Sequence, residues 1–279
     1  MMSTVSWVDG DLAASVPVDD RGLLYGDGVF ETLLVHHGDI VAWRAHHARL
    51  ERACCALGIH KPAQSVLARD LDTMRDTMRD APWSCLRLTV TRGGGERGYA
   101  PPSDSSARRI WSWSPMDPDV VGWRAGGIEL AWLSTPLQSS STLGGLKHLN
   151  RLEQVMAAQE LSGTGADEGL LCAVDGAVIE GVSANVFVRT GNVLRTPCLD
   201  VCGVAGVARG RVMDIAATLG LSLEVGRIER RDLLDGDEVF LTNSLRGARP
   251  VARLEDRTWQ SFETARRAHD HLIPKGSCA

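Results

Sequence analysis

Two short segments near the middle of the chain do most to limit its fold. "EGLLCAVDGAVIEG" (168–181) and "ANVFVRTGNVLRTP" (184–197) each set two apolar, β-branched runs around a pair of turn residues, Asp175-Gly176 and Gly191-Asn192. That spacing predicts two tight hairpins in succession. Back-to-back antiparallel hairpins exclude a regular βαβ array, in which a helix must cross between parallel strands. The rest of the chain is then read as helices and strands packed around such hairpins.

The pattern before them is mixed. Residues 3–8 read as a strand ending at Asp9-Gly10, and "GVFETLLVHHGDIVAW" reads as a hairpin turning at His37-Gly38-Asp39. "RAHHARLERACCALGI" predicts a helix with Ala45, Ala48, Ala53 and Leu57 inward, stopped by Gly58, and a second helix covers 62–79. Strands are expected at 85–91 and 108–114. "SPMDPDVVG" then carries two prolines and turn residues, which suits a domain boundary. The expected division is a small N-terminal α/β domain, 1–117, and a larger C-terminal domain with a barrel-like sheet, 118–279. With 279 residues, each part has enough chain for its own core. In the second part a strand at 128–134 precedes "TLGGLKHLNRLEQVMAAQ", where Leu149, Leu152, Val155, Met156 and Gln159 predict a helix with one packed apolar face. A helix near 205–219, strands at "LSLEVGR" and "DEVFLTN", and a last helix from Trp259 complete an α+β chain.

Composition removes several functions. No apolar run reaches the length of a membrane span, and the N-terminus lacks a signal-peptide pattern. A net charge of -5 argues against a nucleic-acid surface. Seven cysteines without a CxxC pair fit reduced thiols in a cytoplasm, and the adjacent His36-His37 and His46-His47 make a metal site a poor expectation. Gly93, Gly95 and Gly98 satisfy GxGxxG. However, Pro101 and Pro102 stand where a dinucleotide fingerprint needs its helix to begin, so a mobile loop near a site is the better reading.

The chemistry-bearing residues occur in an ordered set. Arg44 enters a helix; Lys147 follows in "GLKHLNRLEQV", Glu180 in "DGAVIEGVSANVF", then "GVAGVARG" and "LTNS". With "YGDGVFET" (25–32), this order resembles the fold-type IV pyridoxal-phosphate enzymes over nearly the whole chain. The resemblance implies that Lys147 carries pyridoxal 5'-phosphate as a Schiff base. It implies that Glu180 faces the pyridine nitrogen and keeps it protonated, and that Arg44 binds the phosphate. Val207 and Ala208, behind Gly206 at a helix start, and Asn243 with Ser244 would add neutral donors to the same phosphate.

Within that group the lysine segment and "TRGGGERGY" resemble the 4-amino-4-deoxychorismate lyases most closely. Tyr99 stands where D-amino acid aminotransferases tend to carry a histidine, and Thr32 where branched-chain aminotransferases have glycine. The resemblance implies a homodimer acting on a small acidic substrate; composition adds the expectation of a cytoplasmic protein with no nucleic-acid, membrane or metal partner. Arg92, Arg97, Tyr99, Tyr25 and Thr32, with Arg87, are the candidate substrate contacts. An aminotransferase using the same Lys147 stays open at this point, as does a chain that keeps the fold without turnover.

Overall fold

The computed structural model describes residues 4–95 and 98–274. The chain divides into two compact units, residues 1–120 with Lys147–Asn150, and residues 121–146 with 151–279.

The first unit is one antiparallel sheet with helices. In chain order its elements are β1 (Val5–Val8), β2 (Asp11–Leu12), α1 (Arg21–Tyr25), β3 (Gly28–His36), β4 (Asp39–Ile40), α2 (Trp43–Ala56), α3 (Gln64–Arg79), β5 (Trp83–Thr91) and β6 (Arg108–Pro115). The six strands lie in the order β2-β1-β6-β5-β3-β4. The β3–β5 pair runs from Gly28↔Thr91 to His36↔Trp83, so Phe30, Thr32, Arg87 and Thr89 share one face and Glu31 the other. The inward side of α2 differs from the alanine stripe that the sequence predicts. His46, Arg49, Leu50, Ala53 and Cys54 are its buried residues. Glu31 is 1% exposed and bonds to both His46 and Arg49, so a buried carboxylate sets which way the helix turns.

A short helix, α4 (Pro118–Val121), spans the division between the units. The second unit contains β7 (Ile128–Trp132), α5 (Leu152–Ser162), β8 (Glu168–Cys172), β9 (Val178–Gly181), β10 (Asn185–Thr190), β11 (Val193–Pro197), α6 (Val207–Ile215), β12 (Ser222–Gly226), α7 (Arg230–Leu234), β13 (Glu238–Asn243), β14 (Gly247–Leu254), β15 (Arg257–Thr258) and α8 (Glu263–Leu272). Both central hairpins form, β8–β9 and β10–β11. The β9–β10 pairing closes the run β10-β13-β14-β7-β8-β9 into a six-stranded barrel. Ile128, Leu170, Val178, Val186, Val239 and Leu241 belong to one buried cluster, with alternate residues of β10 and β13 facing it. Phe187 and Phe240 stack at 5.1 Å on the other face of the same strands.

Two expectations for this unit are corrected. No strand is expected from the sequence between "DEVFLTN" and the last helix, yet "GARPVARL" forms β14 although Pro250 lacks the N–H that an interior strand donates. It pairs with β13 and β7, and its register with β7 shifts between Val251 and Arg253. On α5 the apolar stripe faces outward. Leu152, Val155 and Met156 are 76%, 60% and 59% exposed, and Ala157 is the helix's buried residue.

Instead, α5 grips the chain that leads to the lysine. Glu160 accepts from N and Oγ of Ser134 at 2.6 and 2.8 Å, and from N and Oγ1 of Thr135 at 3.0 and 2.9 Å. In the first turn of the same helix, Glu153 accepts from Gln138 N at 3.0 Å. The Ser134 amide, followed by the other donors, pulls the Glu160 carboxyl down to about 2 from 4.5. A depressed folded-state value gives stability that is present above 4.5 and lost as pH falls toward 2. The melting temperature of Glu160→Gln should therefore lie below that of the parent at pH 6 and converge with it by acid titration. A constant gap across that range would show that the ionised carboxylate contributes nothing.

Candidate active site

Lys147 reaches its place through backbone pairing. Gly144 lets the approach pass close to another loop, since a Cβ there would sit 2.4 Å from Asp200 O. Residues 147–149 then lie antiparallel beside the start of β3. Phe30 N donates to Lys147 O, and Leu149 N to Gly28 O, each at 3.0 Å, with Val29 bridged to His148. This pairing is why residues 147–150 belong to the first unit, where the sequence reading had put them in the C-terminal domain. Lys147 faces the same way as Phe30, and its Nζ lies 4.2 Å from the ring centroid. The Arg87 guanidinium lies 3.9 Å from that centroid. Thr32, half-buried, shares the face.

Behind β3 lies a polar set that sequence reasoning missed. Glu31 accepts from His46 Nδ1 at 2.7 Å and from Arg49 Nε at 2.8 Å. Burial opposes its charge, yet the bonds from Arg49 and then His46 hold its carboxyl below the usual range. Burial pushes His46 down against the pull of Glu31, so a neutral imidazole donates its Nδ1–H to an ionised carboxylate. The signal was visible as a lone acid inside the apolar strand "GVFETLLV" and an arginine three residues after a histidine. Arg44 is exposed on the first turn of α2, whereas Arg49 is buried.

The arginines around the glycine-rich loop have structural tasks. Arg92 is 8% exposed; it grips Asp27 through Nε and Nη2 at 2.7 and 3.1 Å and donates to the carbonyls of Gly58 and Leu57. Its donors are committed, which corrects its assignment as a substrate contact. Arg21 also bonds to Asp27 and donates to Gly98 O and Tyr99 O at 3.0 and 2.9 Å. The described part of the loop is thus tied down rather than loose. Tyr25 Oη accepts from Gly98 N, and its ring meets Tyr99 edge-on at 5.6 Å. Tyr99 is 87% exposed, and Arg97 lies outside the described residues.

In the second unit Glu180 is 4% exposed at the end of β9. Its Oε2 accepts from Val204 N at 2.8 Å, with Asn185 Nδ2 at 3.5 Å. That amide also donates to Val204 O at 2.8 Å. Asn185 Oδ1 presses against Gly206, where a Cβ would come within 2.0 Å of it. Gly206 precedes α6, whose N-terminus has no side-chain cap; Val207 and Ala208 are its first, buried residues. Arg209 anchors that turn to β11 by donating to Thr196 Oγ1 and Pro197 O at 3.2 and 2.8 Å. Ser244 follows β13. The Asn243 side chain is engaged in the turn itself: Oδ1 accepts from Leu245 N and Arg246 N, and Nδ2 donates to Ser183 O. It shapes the turn that carries Ser244, a correction to its expected role as a ligand.

Residues 28–254 match the family described as Amino-transferase class IV. The chain belongs to that family. It is 35% identical over 247 residues to an aminodeoxychorismate lyase of Vibrio harveyi, covering 88% of this chain and 90% of that protein. The structure of 4-amino-4-deoxychorismate lyase from Pseudomonas aeruginosa superposes with a TM-score of 0.87 and 41% identity, covering 96% and 97% of the two chains. A D-alanine aminotransferase of Bacillus licheniformis is 27% identical over 250 residues, 88% of this chain and 84% of that protein.

The family's cofactor is pyridoxal phosphate, and the residues fit it. An uncapped, glycine-led helix start accepts an anion. A buried carboxylate held by an amide N–H suits a protonated pyridine nitrogen, and an amine on a paired backbone suits covalent capture of an aldehyde.

Proposed function

We propose that the protein is a pyridoxal-phosphate-dependent lyase that converts 4-amino-4-deoxychorismate to 4-aminobenzoate and pyruvate, a step in folate biosynthesis. The observation that carries this reading is the near-full-length similarity to two proteins named for that activity, at higher identity than the aminotransferase compared with them.

Bound pyridoxal phosphate supplies an aldehyde that captures the substrate amine and a ring that accepts electrons. Lys147 holds the cofactor between turnovers. Its amine would remove the proton at the amine-bearing ring carbon of the substrate. Breaking the bond to the enolpyruvyl oxygen makes the ring aromatic, and Lys147 returns a proton to the departing enolpyruvate to give pyruvate. Glu180, oriented by the Val204 amide, would hold the proton on the pyridine nitrogen. Val207 and Ala208 amides with Ser244 bind the phosphate. For the cationic partner, Arg49 is a stronger choice than Arg44, because it is buried and its side chain is fixed by Glu31. Thr32 and Arg87, on the Lys147 face of β3–β5, and Tyr25, Tyr99 and Arg97 are the proposed substrate contacts.

The protein is proposed to act as a cytoplasmic homodimer. The exposed apolar stripe of α5 supports a covered surface. The unpaired cysteines among the described residues support a reducing compartment. No helix of the described residues is long and apolar enough to cross a membrane.

Stoichiometry tests the reaction. A lyase of this kind would need no second substrate, because the nitrogen leaves with 4-aminobenzoate. Pyruvate and 4-aminobenzoate should appear in equal amounts over many turnovers with no keto acid added. Rapid turnover of D-alanine with 2-oxoglutarate, and no pyruvate from 4-amino-4-deoxychorismate, would replace the lyase by an aminotransferase.

A further inference from the structure

The hydroxyl of Thr242 is buried without a partner. Thr242 is 1% exposed at the end of β13, and its Oγ1 has no hydrogen bond. A buried hydroxyl left unpaired costs about 1–3 kcal/mol, so such a group calls for a ligand that completes it.

Its position indicates which ligand. Thr242 pairs with Asn185 across the β10–β13 ladder, so the two side chains leave the same face of the barrel. That is the outer face, shared with Phe187 and Phe240, because Val186 and Leu241 belong to the interior cluster. On this face Asn185 Oδ1 lies against Gly206, the residue that opens α6. Thr242 therefore shares its face, through its cross-strand neighbour Asn185, with the start of a nine-residue helix whose amides carry no side-chain cap. Ser244, two residues on, lies in the turn that follows β13. A helix N-terminus draws anions, and a hydroxyl can donate to one.

We propose that Thr242 Oγ1 donates a hydrogen bond to the cofactor's phosphate, an additional anchor beneath the amides of Val207 and Ala208. The inference rests on the pyridoxal-phosphate reading above. In the absence of the phosphate the hydroxyl is a liability to the fold, and in its presence it is a contact. Removing it should thus have opposite effects on the two states.

Thr242→Val keeps the shape and deletes the hydroxyl. Titration of the apoprotein should show pyridoxal phosphate bound about tenfold more weakly or worse, the loss expected for one hydrogen bond to a charged group. Binding of pyridoxal, which has no phosphate, should stay as in the parent. The melting temperature of the apoprotein should hold or rise. Thr242→Ser should retain the parent's affinity within about threefold, since its hydroxyl remains. Unchanged affinity for pyridoxal phosphate in Thr242→Val would overturn the proposal. So would an equal loss for pyridoxal, or a fall in apoprotein melting temperature that accompanies the weaker binding. Failure of the parent protein to bind pyridoxal phosphate at all would instead reject the cofactor reading on which it stands.

Discussion

Lys147→Ala should lower turnover by about a hundredfold to ten-thousandfold, the range attributed to a positioned acid–base group. Loss of the covalent hold on the cofactor should deepen that deficit. The fold should survive, because the segment is held by backbone bonds from Phe30 N to Lys147 O and from Leu149 N to Gly28 O, which alanine preserves. The chain makes the chemical test clean, since its lysines are Lys61, Lys147 and Lys275. Lys61 is on the surface, paired with Glu51 at 2.8 Å. Borohydride treatment of the holoenzyme should fix the cofactor to the peptide containing Lys147. Recovery of the label on either other lysine would reject the assignment.

The second large effect separates holding the cofactor from using it. Glu180→Gln keeps an oxygen for the Val204 amide but removes the charge that holds the pyridine proton. We expect turnover to fall by on the order of a hundredfold, comparable to deleting one preorganised electrostatic contact. Excess cofactor should not restore it. Arg49→Ala should weaken cofactor binding by about 1.5–3 kcal/mol, and saturating pyridoxal phosphate should recover much of the activity. Arg44→Ala, at an exposed site, should change binding much less. If Arg44→Ala has the larger effect, the assignment of the phosphate's cation to Arg49 fails. If Glu180→Gln recovers with cofactor as Arg49→Ala does, the division of roles fails.

The ordered motifs make the lysine, the acid and the glycine-led helix start legible as candidates in the sequence, because each depends on local chemistry. Lys147 needs a short paired segment, Glu180 the end of a hairpin strand, and Val207 a helix start behind Gly206. The arginines were harder to place. Charge and position in sequence are the same for a cation in water and one locked to a carboxylate, so Arg92 read as a substrate contact and Arg44 as the phosphate's partner. Burial separates them. Arg92 is bound to Asp27 and two carbonyls, and Arg49, not Arg44, turns inward to Glu31.

The sequence by itself determined the α+β class and both central hairpins, and it singled out the amine proposed to react. Turn residues and apolar alternation act over a few positions, so they can be read locally. Closure of the barrel was decided by tertiary structure, because β14 passes through Pro250 and pairs with β7 some 120 residues away in sequence. The outward stripe of α5 and the inward polar face of α2 were decided in the same way. Helical periodicity reports that one face differs from another, but which face is buried depends on what lies across from it. For α2 that is the carboxylate of Glu31. For α5, the carboxylates of Glu153 and Glu160 bind the segment that leads to Lys147, while Leu152, Val155 and Met156 point away from the core of their own chain.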